Sequence, residues 1–188
     1  MKELEERILK DGQILDGDVL KVGSFLNQQI DTNLLRNMAK EVKRLFPEAI
    51  TKVLTIEASG IAFATAIGLE LNVPVVFAKK SKTSNVSGDL VSSEVKSFTH
   101  NNTSLIYINK DYITRDDKVL IADDFLALGN ALKGLIEIVE KCGGMVVGAA
   151  IEIEKCYQEG GDRIRSLGYR IESLAKIVEM TENKIVFK

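Results

Sequence analysis

The sequence has no tryptophan, two prolines, two cysteines and a single histidine among its 188 residues. Each shortage removes a class of protein. Cys142 and Cys156 lack CxxC spacing and His100 stands alone, so a His/Cys zinc site cannot be assembled and both thiols are expected as reduced packing residues. Long apolar runs are also missing: the longest, 62–67 and 145–151, fall well short of the roughly 18 residues of a membrane span. The opening MKELEERILKDG is charged throughout, so no secretory signal is expected and a cytoplasmic location follows.

An excess of one charge is absent too. With 25 Lys+Arg against 27 Asp+Glu the net charge is -2, which supplies no basic face for nucleic acid and no anchor for a membrane. The hydrophobic share of 45% and charged share of 28% argue against disorder and against a coiled coil. No repeat, low-complexity tract or Pro/Gly/Ser linker divides the chain, so a single domain over 1–188 is expected.

What is present is an alternation of strand and helix periods. Asp31 is placed to cap a helix in which Leu34, Leu35, Met38, Val42, Leu45 and Phe46 recur at helical spacing before Pro47. KVLTI at 52–56 reads as a strand, EASG at 57–60 as a tight turn, and 61–71 as a helix of small residues stopping at Asn72. VVFA at 75–78 and KVLIA at 118–122 read as further strands. A helix over 130–141, closed by Gly143 and Gly144, leads to the apolar run 145–153. Alternating elements with continuously apolar strands predict an α/β fold with a mainly parallel central sheet flanked by helices. Between 79 and 108 the pattern changes: a polar segment with Lys79, Lys80 and Lys82 precedes two alternating runs around the turn-like 100–103, predicting a mobile loop and a β-hairpin that could act as a lid for an anion.

Open parallel sheets bind ligands beyond the carboxyl ends of their strands, so the turns there hold the candidate site. In VLIADDFLALGNA (119–131) an apolar strand runs into Asp123 and Asp124, then into small residues that open a helix. The helix start offers unpaired N–H groups to a phosphate, with Ala127, Leu128, Gly129, Asn130 and Ala131 as the cradle. The carboxylates can accept hydrogen bonds from sugar hydroxyls or hold Mg²⁺ through water. One segment thus suits both ends of a ribose 5-phosphate, although an Asp pair after a strand can also simply cap a helix.

The full pattern resembles the type I phosphoribosyltransferases, which use 5-phosphoribosyl 1-pyrophosphate (PRPP). VLKVGSFLNQQI (19–30), IEASGIA (56–62), VPVVFA (73–78), IEK (153–155) and LGYR (167–170) extend the likeness across nearly the whole chain and are most similar to the bacterial xanthine branch. The resemblance implies the type I fold with a small hood formed mainly by about 1–35 and the C-terminal segment, a flexible hairpin loop, a homodimer, and Mg²⁺ as cofactor. It assigns catalysis to Asp123 and Asp124, xanthine to Leu20, Asn27, Phe125 and Lys155, and PRPP to residues 127–131, Ala58, Ser59, Gly60 and Lys80. Two positions depart from the wider pattern. Ala127 replaces an aspartate that the hypoxanthine–guanine branch offers as a candidate proton acceptor, and Leu128 stands where many members have threonine; the architecture is closer to the adenine subgroup. Transfer to guanine or hypoxanthine, and a PRPP-sensing regulator without catalysis, are the alternative readings.

Overall fold

The computed structural model describes residues 1–16, 18–81, 88–96, 103–182 and 184–188. Five parallel strands form the centre: β3 (Lys52–Ile56), β4 (Val75–Ala78), β7 (Lys118–Leu126), β8 (Met145–Lys155) and β9 (Ile171–Thr181), with β10 (Lys184–Phe187) antiparallel at one edge. The strand order β10-β9-β8-β7-β3-β4 puts β7 and β8 in the middle, where both faces must be apolar. They are. Leu120 and Ala122 of β7 face a cluster with Phe25, Met38, Phe63 and Ile67, while Val119 and Ile121 face Leu132, Leu135 and Ile138.

Helices cover both faces. On the first lie α1 (Lys2–Asp11), α2 (Thr32–Leu45) and α3 (Gly60–Leu71) with a short π-helix, Gly23–Asn27; on the second lie α4 (Asn130–Cys142) and the hairpin of β5 (Leu90–Lys96) and β6 (Thr103–Asn109). Asp31 caps α2 as the sequence predicts, its Oδ1 accepting the N–H groups of Asn33 and Leu34 at 3.1 Å each. Its other oxygen accepts from Arg7 at 2.6 Å, tying α1 to α2. Asn72 and Gly143, at φ 57° and 81°, end α3 and α4 in the left-handed conformation that releases a chain from a helix. Cys142 and Cys156 are free thiols. Residues 82–87, with Lys82 of the expected loop, and 97–102, with most of the expected turn at 100–103, lie outside the described residues.

A small antiparallel pair, β1 (Gln13–Leu15) and β2 (Val19–Lys21), and α5 (Gly160–Ser166) complete the chain around one end of the sheet. Helix α5 is locked to β8 through an ion pair: Nη1 and Nη2 of Arg165 each donate to the buried Glu154 carboxylate at 2.7 Å, and Ser173 Oγ adds a third bond. Burial pushes Glu154 upward, but the bonds from Arg165 and Ser173 outweigh it and its carboxyl ends below the usual range. Removing Arg165 leaves a buried charge unpaired, so Arg165→Ala should cost about 3 kcal/mol in urea unfolding at neutral pH. A lowered folded value means the contribution is present above the unfolded carboxylate range and fades as pH falls through the folded value. The cost should therefore shrink in acid; an equal loss at neutral and acid pH would contradict the pairing.

Candidate active site

The carboxyl ends of β3, β7 and β8 open into a cleft of about 670 Å³. β7 does not stop at Ala122: it runs through both aspartates to Leu126, because Asp123 and Phe125 still pair with Ile151 and Ile153 of β8. The helix-cap reading of the acidic pair therefore falls, and α4 is instead preceded by Gly129 at φ 80° with no side-chain cap. Its first turn faces the cleft through Gly129, Asn130, Ala131 and Leu132, beside Ala127 and Leu128. A helix start open to a cleft in this way can cradle an anion.

That cradle is braced from behind. Arg163 donates to the carbonyl of Leu128 at 3.0 Å, and Gly160 lies so close that a Cβ there would stand 2.1 Å from the Ala127 oxygen. No side chain fits between α5 and the loop.

Asp123 is 4% exposed, and its Oδ1 accepts the Asp124 N–H at 3.0 Å. Burial, reinforced by the neighbouring Asp124 charge, pushes the Asp123 carboxyl well above the usual range. The strand register places Glu152 beside Asp124, and burial together with the two aspartates pushes Glu152 up as well. Crowded carboxyls with little water cannot all ionise. Both aspartates line the cleft, and Asp124, half-buried, is the more accessible of the two.

The β3–α3 turn forms the opposite rim. Ser59 and Glu57 line the cleft, Gly60 is buried at the helix start, and Ala58 is exposed outside the lining; the Glu57–Ala58 peptide is cis. Gly60 is needed for close packing, since a Cβ would lie 2.3 Å from Thr55 Oγ1 and 3.2 Å from Asp123 Oδ1. Glu57 accepts the Lys80 N–H at 2.6 Å, which holds Lys80 at the cleft.

At the far end Leu20, Phe125 and Lys155 line the same cleft. Asn27, by contrast, is exposed at the end of the π-helix and off the wall. Most sequence-predicted residues are thus brought together on the wall; Asn27 and Ala58 are exposed away from it, and Gly60 is buried behind it. Sequence reasoning assigned no role to Asp18, Glu57 or Glu152. Glu152 left a readable trace, an acid inside an otherwise apolar strand, whereas Asp18 left none, its partners lying 137 to 140 residues away.

Comparison with known proteins fits this geometry. A family model described as phosphoribosyl transferase domain matches residues 22–179. Proteins named xanthine phosphoribosyltransferase from Heliobacterium modesticaldum and Clostridium novyi are 50% and 51% identical to the chain, each covered over 100% of both sequences. Among solved structures, adenine phosphoribosyltransferases from Giardia lamblia, complexed with 9-deazaadenine, and from Rhodothermus marinus superpose with TM-scores of 0.79 and 0.76. They cover 95% and 94% of this chain, and 98% and 99% of their own, at 20% and 23% identity. Such distant likeness establishes the fold alone. With a strand-borne acidic pair running into a helix start at Gly129, and a domain match spanning most of its length, the chain belongs to the phosphoribosyl transferase domain family.

Proposed function

We propose that this protein transfers the 5-phosphoribosyl group of PRPP to N9 of xanthine, giving xanthosine 5′-monophosphate and pyrophosphate, as one domain with an N-terminal hood. The observation that carries the reading is the convergence, in one cleft, of the anion cradle before α4, the acidic strand end and the Leu20–Lys155 wall. Full-length relatives at 46–51% identity bear the matching name.

In this reading the N–H groups of residues 127–131 clamp the 5-phosphate and Asp124 accepts hydrogen bonds from the ribose hydroxyls, with Asp123 supporting it from the strand. Ser59 and the adjoining turn, with Lys80, face the diphosphate, and Phe125 and Leu20 enclose the base while Lys155 donates to an exocyclic carbonyl oxygen of the base. The base nitrogen forms its bond to C1′ as the bond from C1′ to the diphosphate oxygen breaks, so the chain contributes mainly position and charge. No aspartate stands at Ala127 to take the base proton; xanthine, a comparatively acidic purine, can arrive as its anion.

Among the described residues no three His, Cys, Asp or Glu side chains stand together as a metal cage. Asp124 and Glu57 on the cleft wall are oxygen donors that fit Mg²⁺ held mainly by diphosphate oxygens and water. Bound so, Mg²⁺ would neutralise the leaving diphosphate. A homodimer belongs to the same proposal, supported by the exposed Phe77 and Tyr112 around a second cleft at the β4 edge.

The test offers xanthine, guanine, hypoxanthine and adenine separately to the purified protein with Mg²⁺ and PRPP, following absorbance, with sedimentation to read the oligomer. Strong preference for xanthine is expected. Preference for another purine would overturn the base assignment, and tight PRPP binding without turnover would favour the regulator.

A further inference from the structure

One residue between β1 and β2, Asp18, has φ +65° and lies on the wall of the cleft. Non-glycine residues adopt this conformation uncommonly, Asp and Asn more readily than others, and here it is held from outside. Lys155 Nζ donates to the main-chain carbonyl of Asp18 and stands 3.8 Å from its Oδ2. Tyr157 OH donates to Oδ1 at 2.5 Å, and Gln158 Nε2 donates to Oδ2. Among the described residues the Gln158 amide oxygen is buried without a partner, and the amide nitrogen is bonded to Asp18. All three donors come from the carboxyl end of β8 and the turn after it.

The arrangement has a mechanical logic. Lys155 is a long side chain with four rotatable bonds, only 7% exposed, and its ammonium has three N–H directions. One is taken by the Asp18 carbonyl, which fixes where the others point. The carbonyl can hold that place only while its own residue is held, and Tyr157 and Gln158 grip the carboxylate from two sides. Burial pulls the Lys155 ammonium below its ordinary range, and the Asp18 charge opposes that pull.

We infer that Asp18 is a positioning residue for the base: gripped by Tyr157 and Gln158, it aims the Lys155 ammonium at a carbonyl oxygen of the incoming oxopurine. This rests on the proposed base site but adds a residue that the family likeness did not single out.

The test is steady-state kinetics on Asp18→Gly, Asp18→Asn, Lys155→Ala and the double variant Asp18→Gly/Lys155→Ala, varying base and PRPP separately. Glycine tolerates the positive φ, so Asp18→Gly removes the grip without forcing the backbone. It should raise KM for the base about tenfold while KM for PRPP stays within about twofold. Asp18→Asn, which keeps one acceptor, should recover part of the loss, and the double variant should be no worse than Lys155→Ala alone. Equal changes in both KM values, or fully additive losses in the double variant, would overturn the inference. If the wild type prefers another purine, the xanthine reading falls, and the same split read on that purine still decides the role of Asp18. Absence of turnover with every purine would overturn both.

Discussion

Asp124→Asn should lower kcat by about 10²- to 10³-fold, the scale of losing one well-placed electrostatic contact in a catalytic cleft. Asparagine has the same shape and fits the half-buried strand position, so the fold should survive. In the proposed reaction, loss of the charge removes the strong acceptor for the ribose hydroxyls just as positive charge develops on the sugar ring. Near-normal turnover would take the acidic pair out of the mechanism.

The same substitution carries a second, opposite signature. Asp123 and Glu152 sit with raised carboxyl values, each driven up by burial and by the Asp124 charge beside it. A raised folded value means the stability contribution is complete below the unfolded carboxylate range and is lost as pH rises through the folded value. Removing the Asp124 charge relieves that loss. Asp124→Asn should therefore be more stable than wild type in alkaline solution and closer to it in acid, read from urea midpoints. A variant both inactive and destabilised at every pH would mean that the substitution damaged the fold instead.

Gly160→Ala should be nearly as damaging to activity, from a position on α5 that sequence reasoning gave no role. The added Cβ would lie 2.1 Å from the Ala127 oxygen, 2.4 Å from the Leu128 carbonyl carbon and 2.6 Å from the Gly129 nitrogen. All three belong to the backbone of the cradle, and backbone cannot swing aside as a side-chain end can. Either α5 retreats or the loop advances into the cleft. Misplacing the phosphate donors by about 1 Å should cost roughly 10²-fold in kcat/KM for PRPP. Arg163→Ala, which removes only the 3.0 Å bond to Leu128, should act in the same direction and more weakly. PRPP kinetics unchanged in Gly160→Ala would show that the cradle tolerates movement of α5.

Some elements were legible for a local reason. The Asp31 cap, the heptad-like spacing of α2 and the strand–turn–helix of 52–71 depend on contacts within a few residues, so each left its pattern in the sequence. Helix α1 was not readable: only Leu4 and Ile8 are buried within its ten residues, too few apolar positions to stand out from a charged segment. The reach of β7 through Asp123 and Asp124 was likewise hidden, since propensity disfavours aspartate in strands and only the ladder to β8 extends it. β9 mixes Glu172, Lys176 and Glu179 among its apolar residues, which obscured the alternation.

What the sequence determined by itself was the α/β class, the acidic strand end and the small-residue helix start, because hydrophobic period and local backbone chemistry are properties of neighbours along the chain. The tertiary structure alone decided that Asp18 meets Lys155, that Gly160 supports the cradle, and that Glu152 stands beside Asp124. It also placed Asn27 away from the cleft wall. Those facts depend on strand order and on the docking of segments far apart in sequence. Nothing in the local pattern of either partner encodes the meeting; packing of the sheet and its helices brings it about.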